Sequence, residues 1–223
     1  MDYATEQGKL RDAGDEDNYI TNALASSSVP DLRTDDWLSY LADIPAGAVQ
    51  YGSRTLLCSI LEPVQNAPAE VITDTLVQYG SETGSNPADY DRTTIASTKI
   101  DVYSSGRPWT FQYCTEYGWF QTMSEETPMR SPMIDEAYFS QFCSDAFSGL
   151  DMSVYPRAFE TTVDQGGFDT AGTNIFFGNG GEDPWQWATQ RENRPELNQV
   201  SMISDCNDCG HCAELYTPKE SDP

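Results

Sequence analysis

The stretch that most constrains the fold is Thr173-Asn174-Ile175-Phe176-Phe177, followed at once by Gly178-Asn179-Gly180-Gly181. An apolar run this short, broken sharply by glycines, has the length of a buried strand rather than of a helix. Asp183, in Glu182-Asp183-Pro184-Trp185, therefore sits just past a strand end. A second run, Gln199-Val200-Ser201-Met202-Ile203-Ser204, reads as another strand and leads through a turn to His211, the only histidine of the chain. The 28 positions from Asp183 to His211 leave room for one short helical connection and one strand.

Two titratable groups on loops at the ends of neighbouring strands match the placement of the acid and base in an α/β-hydrolase triad, where the chain order is Ser, Asp, His. A serine peptidase needs an imidazole to take the hydroxyl proton and a carboxylate to hold the ring in the right tautomer. His211 and Asp183 are candidates for these roles. The nucleophile has no comparable candidate. Tyr51-Gly52-Ser53-Arg54 and Tyr79-Gly80-Ser81-Glu82 are the only faint likenesses to a serine elbow, yet neither has glycine two positions after the serine and neither follows a buried strand.

Upstream, residues 1–31 are polar and acidic, centred on Asp12-Ala13-Gly14-Asp15-Glu16-Asp17, and are expected to form a loose lead-in. Thr34-Asp35-Asp36 predicts a helix start, with Trp37, Leu38, Leu41 and Ile44 at helical spacing. Further helices are expected over 53–61, from Pro68 to Gly80, weakly over 91–103, and after Asp135 with Tyr138, Phe139, Phe142, Cys143 and Phe147 as the apolar stripe. The run from Trp109 to Gln121 is aromatic on all sides, which predicts burial between layers, and Ser124-Glu125-Glu126-Thr127-Pro128 interrupts it. The fold class expected is α/β: a helical cap over residues 1–165, then residues 166–223 as the last strands of a hydrolase sheet.

Charge narrows the partners. With 12 Lys and Arg against 36 Asp and Glu, the formal charge is −24, which repels nucleic acid and anionic membranes. Met1-Asp2-Tyr3-Ala4-Thr5-Glu6-Gln7 lacks the basic and apolar regions of a signal peptide, while six cysteines, twelve tyrosines and five tryptophans suit an exported protein. The two facts together suggest a fragment. Cys206, Cys209, His211 and Cys212 offer four zinc-type donors within seven residues, but such crowding without a second cluster strains a tetrahedron. A local disulfide, Cys206 to Cys212 or Cys206 to Cys209, is the expected alternative.

Asn174-Ile175-Phe176-Phe177-Gly178-Asn179-Gly180-Gly181-Glu182-Asp183-Pro184-Trp185 resembles the Asp-bearing motif of the lysosomal Pro-Xaa carboxypeptidase and dipeptidyl peptidase II family of serine exopeptidases. Gly210-His211-Cys212-Ala213-Glu214-Leu215 resembles that family's His-bearing motif, and Trp109-Thr110-Phe111-Gln112-Tyr113-Cys114-Thr115-Glu116 its W-x-x-Q-x-C-T-E segment. Ala46-Gly47-Ala48-Val49-Gln50-Tyr51 also fits. The resemblance implies Asp183 and His211 as triad members, Trp185 lining a proline pocket, Glu116 facing the cleft toward a substrate amine, a Cys114–Cys143 disulfide, and for Cys58 a partner outside this chain. It further implies peptide substrates with proline near a terminus, no cofactor, a lysosomal or secreted parent, a serine on a preceding half of the enzyme, and a further helix after Pro223. A catalytically dead scaffold of the same fold is the rival expectation.

Overall fold

The computed structural model describes residues 1–126, 129–212, 215 and 217. Thr127 and Pro128 of the expected interruption, and Ala213 and Glu214 of the His-bearing motif, lie outside the described residues. Helices run in the order α1 (Asp2–Asp12), α2 (Tyr19–Leu24), α3 (Thr34–Gln50), α4 (Arg54–Leu61), α5 (Ala69–Glu82), α6 (Arg92–Ala96), α7 (Gly106–Gln112), α8 (Glu136–Ala146) and α9 (Ala158–Gln165), followed by strands β1 (Ile175–Gly180) and β2 (Gln199–Ser204). The chain divides into two compact units, Met1–Ile44 with Ala67–Asp164, and Pro45–Asn66 with Gln165–Pro223. This grouping differs from a single division at residue 165, because the end of α3 and all of α4 go with the strands.

The first unit is helical. Trp37, Leu38, Leu41 and Ile44 are buried on α3 as their spacing predicts, together with Ile20, Leu24, Ile134 and Phe142. Asp135 caps α8 by accepting from the Tyr138 amide at 2.8 Å. The expected loose lead-in is instead two helices. Asn18 caps α2 through the Thr21 amide at 2.9 Å, and Ala4, Ile20 and Leu24 are buried. The acidic run over 12–17 is only the turn between α1 and α2, and the apolar residues on either side outweigh it by burial.

Two other expectations change. The weak helix over 91–103 shortens to α6, capped by Asp91 through the Thr94 amide at 3.0 Å, and Ile100, Val102 and Tyr103 beyond it are exposed. The aromatic run is not buried throughout. It forms α7 and then one π-type turn over Tyr113–Tyr117, which Gly118 closes with a left-handed φ of 63°. Thr110, Cys114 and Thr115 are buried there, whereas Trp109, Phe111 and Trp119 are exposed. The rings cover one another instead: Tyr117 stacks on Trp119 at 4.7 Å and Phe120 on Phe139 at 5.0 Å.

The charged centre of this unit is Arg92, itself buried. Its Nε donates to Asp36 Oδ2 at 3.0 Å, its Nη2 to Asp36 Oδ1 at 3.0 Å, and its Nη1 to Asp145 at 2.6 Å. The guanidinium also lies 5.6 Å from the Tyr138 ring centroid and 5.4 Å from that of Phe142. Burial pushes the Asp36 carboxyl up to about 6, against the pull of Arg92.

In the second unit β1 and β2 pair in parallel, from Ile175 opposite Gln199 to Gly180 opposite Ser204. Parallel pairing places both C-terminal ends, and therefore the loops carrying Asp183 and His211, at one edge of the sheet. Mixed helices with a parallel pair of strands make the chain α/β. The expected helical connection is two short 3₁₀ turns, Pro184–Ala188 and Pro195–Leu197, each opened by proline. The strands are less buried than their apolar composition predicts: Phe176 is 64% exposed, and Val200 and Met202 are also exposed.

Candidate active site

Asp183 follows β1 by way of Gly181 and Glu182 and occupies the cap of the turn over Pro184–Ala188. Its Oδ1 accepts from the Trp185 amide at 2.8 Å, which fixes the carboxylate orientation. Its other oxygen, Oδ2, lies 2.9 Å from Nδ1 of His211. Asp183 is only 7% exposed, while the His211 side chain is 39% exposed. A carboxylate can only accept in this contact, so the ring proton belongs on Nδ1 and the Nε2 lone pair is left to take a proton from elsewhere.

Glycines let the loops come this close. A Cβ on Gly180 would meet the carbonyl oxygens of Gly210 and Cys209, and one on Gly181 the carbonyl of Ser204. A Cβ on Gly210 would meet the Gln50 carbonyl and, at 2.7 Å, the Gly52 nitrogen. The backbones lock across these gaps. Glu182 N–H donates to the Cys209 carbonyl at 3.0 Å, and His211 N–H donates to the Gln50 carbonyl at 2.5 Å. Gln186 Nε2 donates to the Gly181 carbonyl at 2.8 Å.

The cysteines resolve. Cys114 and Cys143 form a disulfide in the first unit, the two that the resemblance pairs. Cys206 and Cys209 form another, and the alternative Cys206–Cys212 pairing is not adopted. With those two sulfurs joined and Nδ1 of His211 turned to Asp183, the zinc donor set does not converge. Cys58 is an exposed free thiol. Trp185 is half-buried beside Asp183, with Arg191 lying 3.7 Å over the neighbouring Trp187 ring. Glu116 is exposed on the π-type turn of the first unit. Neither serine sits in an elbow: Ser53 is the N-cap residue of α4 and Ser81 lies within α5.

The family model "Serine carboxypeptidase S28" matches residues 38–223. This chain belongs to that family. It is similar to a "Probable serine protease EDA2" of Arabidopsis thaliana, 34% identical over 184 residues that make up 81% of this chain and 37% of the relative. A "Probable extracellular serine carboxypeptidase" of Arthroderma benhamiae is 35% identical over 103 residues, 44% of this chain and 14% of that protein. The "Thymus-specific serine protease" of Mus musculus is 24% identical over 57% of this chain and 25% of its own length. The S28 chain thus spans well under half the length of these relatives. No solved structure matches it.

Pattern reading missed several side chains of the site in this S28 chain. Arg54 on α4 grips Glu182 with Nε to Oε2 and Nη2 to Oε1, both at 2.7 Å. That fork holds Glu182 below the usual carboxylate range and keeps Arg54 firmly protonated. Asp208 Oδ1 accepts from the Thr55 amide at 2.9 Å, which also depresses the Asp208 carboxyl. Arg54 and Glu182 lie 128 positions apart, so no local spacing announces them.

Proposed function

We propose that this chain is the Asp- and His-bearing portion of a serine exopeptidase that cleaves next to proline at peptide ends. The observation that carries this reading is the contact of a buried, doubly bonded Asp183 carboxylate with Nδ1 of His211 at 2.9 Å. In acyl transfer the nucleophile's proton passes to Nε2, the imidazolium is stabilised by Asp183, and the proton is returned to the leaving amine. Neither Ser53 nor Ser81 has the placement for attack, and the chain spans well under half the length of its relatives, so we assign the nucleophile to a part of the enzyme outside residues 1–223. The helical unit would serve as the cap that restricts access to peptide ends, with Trp185 packing on the proline ring and Glu116 meeting a substrate amine. Carboxypeptidase and dipeptidyl peptidase action share this machinery. The parent enzyme is assigned to the lysosome or to secretion, and no metal enters the chemistry.

The test is active-site labelling of the native polypeptide that contains residues 183–211. We expect a fluorophosphonate label on a serine outside residues 1–223, and His211→Ala in that polypeptide to lower hydrolysis of proline-containing peptides by at least about a thousandfold. A native polypeptide that takes no label would instead make the chain a catalytically dead scaffold of the same fold.

A further inference from the structure

The turn joining α3 to α4 reaches both loops of the site from one side, entirely within the second unit. Four contacts come from the six residues 50–55. The Gln50 carbonyl holds the His211 amide at 2.5 Å, and Gly52 is bare of a side chain where a Cβ would stand 2.5 Å from the Asp208 carbonyl. Arg54 forks the Glu182 carboxylate, and the Thr55 amide holds Asp208 Oδ1. Glu182 is the residue before Asp183, and its own N–H is spent on the Cys209 carbonyl in the His211 loop. The span therefore ties down Glu182 on one loop and His211 on the other.

We propose that Arg54 is a positioning residue for the Asp183 and His211 pair. The inference rests on the reading of that pair given above. Arg54 and Glu182 are 39% and 22% exposed, so water screens their attraction and little stability comes from it. Their use is directional: a two-point fork fixes the orientation of the Glu182 side chain, where a single contact would let it swing. Glu182 directly precedes Asp183, so a backbone shift at Glu182 passes to Asp183 across a single planar peptide bond. Lysine at position 54 would keep the charge and lose the fork.

The test uses the native polypeptide that contains residues 183–211, labelled with ¹⁵N at its histidine rings, with the His211 signals assigned by their loss in His211→Ala. In the parent chain we expect the neutral ring protonated at Nδ1, with slow exchange of that proton. Arg54→Lys and Glu182→Gln should each speed Nδ1–H exchange by roughly tenfold, the equivalent of about 1.4 kcal/mol of lost orientation, and move the tautomer toward Nε2–H. The reciprocal pair Arg54→Glu with Glu182→Arg should recover parent behaviour. Singles that keep the parent tautomer and exchange rate would show Arg54 to be a mere surface charge. So would a folded reciprocal variant that fails to recover them while the singles disturb them only as much as a Lys9→Gln control. Asp183→Asn separates the two readings: if it too leaves the Nδ1 signature unchanged, the Asp183–His211 pairing fails, and the Arg54 assignment falls with it.

Discussion

The two units are held by different means. The helical unit buries large apolar side chains, with Trp37, Leu38, Ile20, Leu24 and Ile134 fully enclosed, and places one cation, Arg92, among Asp36, Asp35 and Asp145. The strand-bearing unit buries few large apolar groups among its described residues, Leu57 being the principal one, whereas Asn179, Asp183, Gln186 and Gln199 are buried polar residues. Its order comes from backbone hydrogen bonds across glycine gaps. The difference teaches that the first unit derives its stability from side-chain burial, and the second its geometry from the absence of side chains at Gly180, Gly181 and Gly210.

The largest effect should fall on the helical unit. Arg92→Met would strand Asp36 as an unpaired buried carboxylate, at a cost of about 3–5 kcal/mol in urea unfolding. The double variant Arg92→Met with Asp36→Leu should recover most of it. A double variant as unstable as the single one would mean that the cost lies in packing and not in desolvated charge. In the other unit Gly210→Ala should cost about 3 kcal/mol, because the new methyl meets backbone at Gln50 and Gly52 that cannot rotate away. Amide exchange of His211 would report that loss directly, and protection equal to the parent's would break the comparison.

Acid should then act in opposite senses on Asp36 in the helical unit and on the carboxylates around Arg54 in the other. Asp35 and Asp91, also held low, loosen the helical unit too in stronger acid. Burial raises Asp36 from 3.8 to about 6, so folding favours its protonated form; this contribution is complete below about 3.8 and is lost as pH rises through about 6. Glu182 and Asp208 are held low by Arg54 and by the Thr55 amide. Their contribution is present above the ordinary carboxylate range of about 4 and is lost as pH falls through their depressed values. Hydrogen exchange across a pH series should show the helical unit tightening as pH drops from about 6 toward 4, and the strand unit loosening only in stronger acid. Parallel changes in both between about pH 6 and 4 would sink the distinction. The smallest effect belongs to Gly47 within α3, where a Cβ meets nothing within 4 Å. Gly47→Ala should stabilise by up to about 1 kcal/mol, against the loss at Gly210, and thermal melts of the pair would check the contrast.

Much of the site was legible because it lies next to strong local signals. Two short apolar runs marked the strands, with Asp183 three positions after the end of β1 and His211 seven after the end of β2. The exposure of the strands was not legible, since Phe176 and Val200 are apolar whether covered or exposed, and periodicity does not report what packs above them. The acidic stretch around 12–17 misled in the same way. Its charge density reads as disorder, yet it occupies only the turn between α1 and α2, whose buried Ala4, Ile20 and Leu24 are too sparse to signal a helix on their own. The aromatic run erred in the opposite direction, because rings that stack on each other need no enclosing layer.

What the sequence determined by itself was local: the helix start at Asp135, the apolar stripe of α3, and the two residue types that an Asp–His pair requires. Chain order and short spacing suffice for these, because each depends on neighbours within a few positions. The tertiary structure alone decided that Arg54 grips Glu182, that Gln50 holds the His211 amide, and that Arg92 shares Asp36 and Asp145. Those contacts join residues tens to more than a hundred positions apart, and bringing them together costs loop entropy that only cooperative burial of the whole unit offsets.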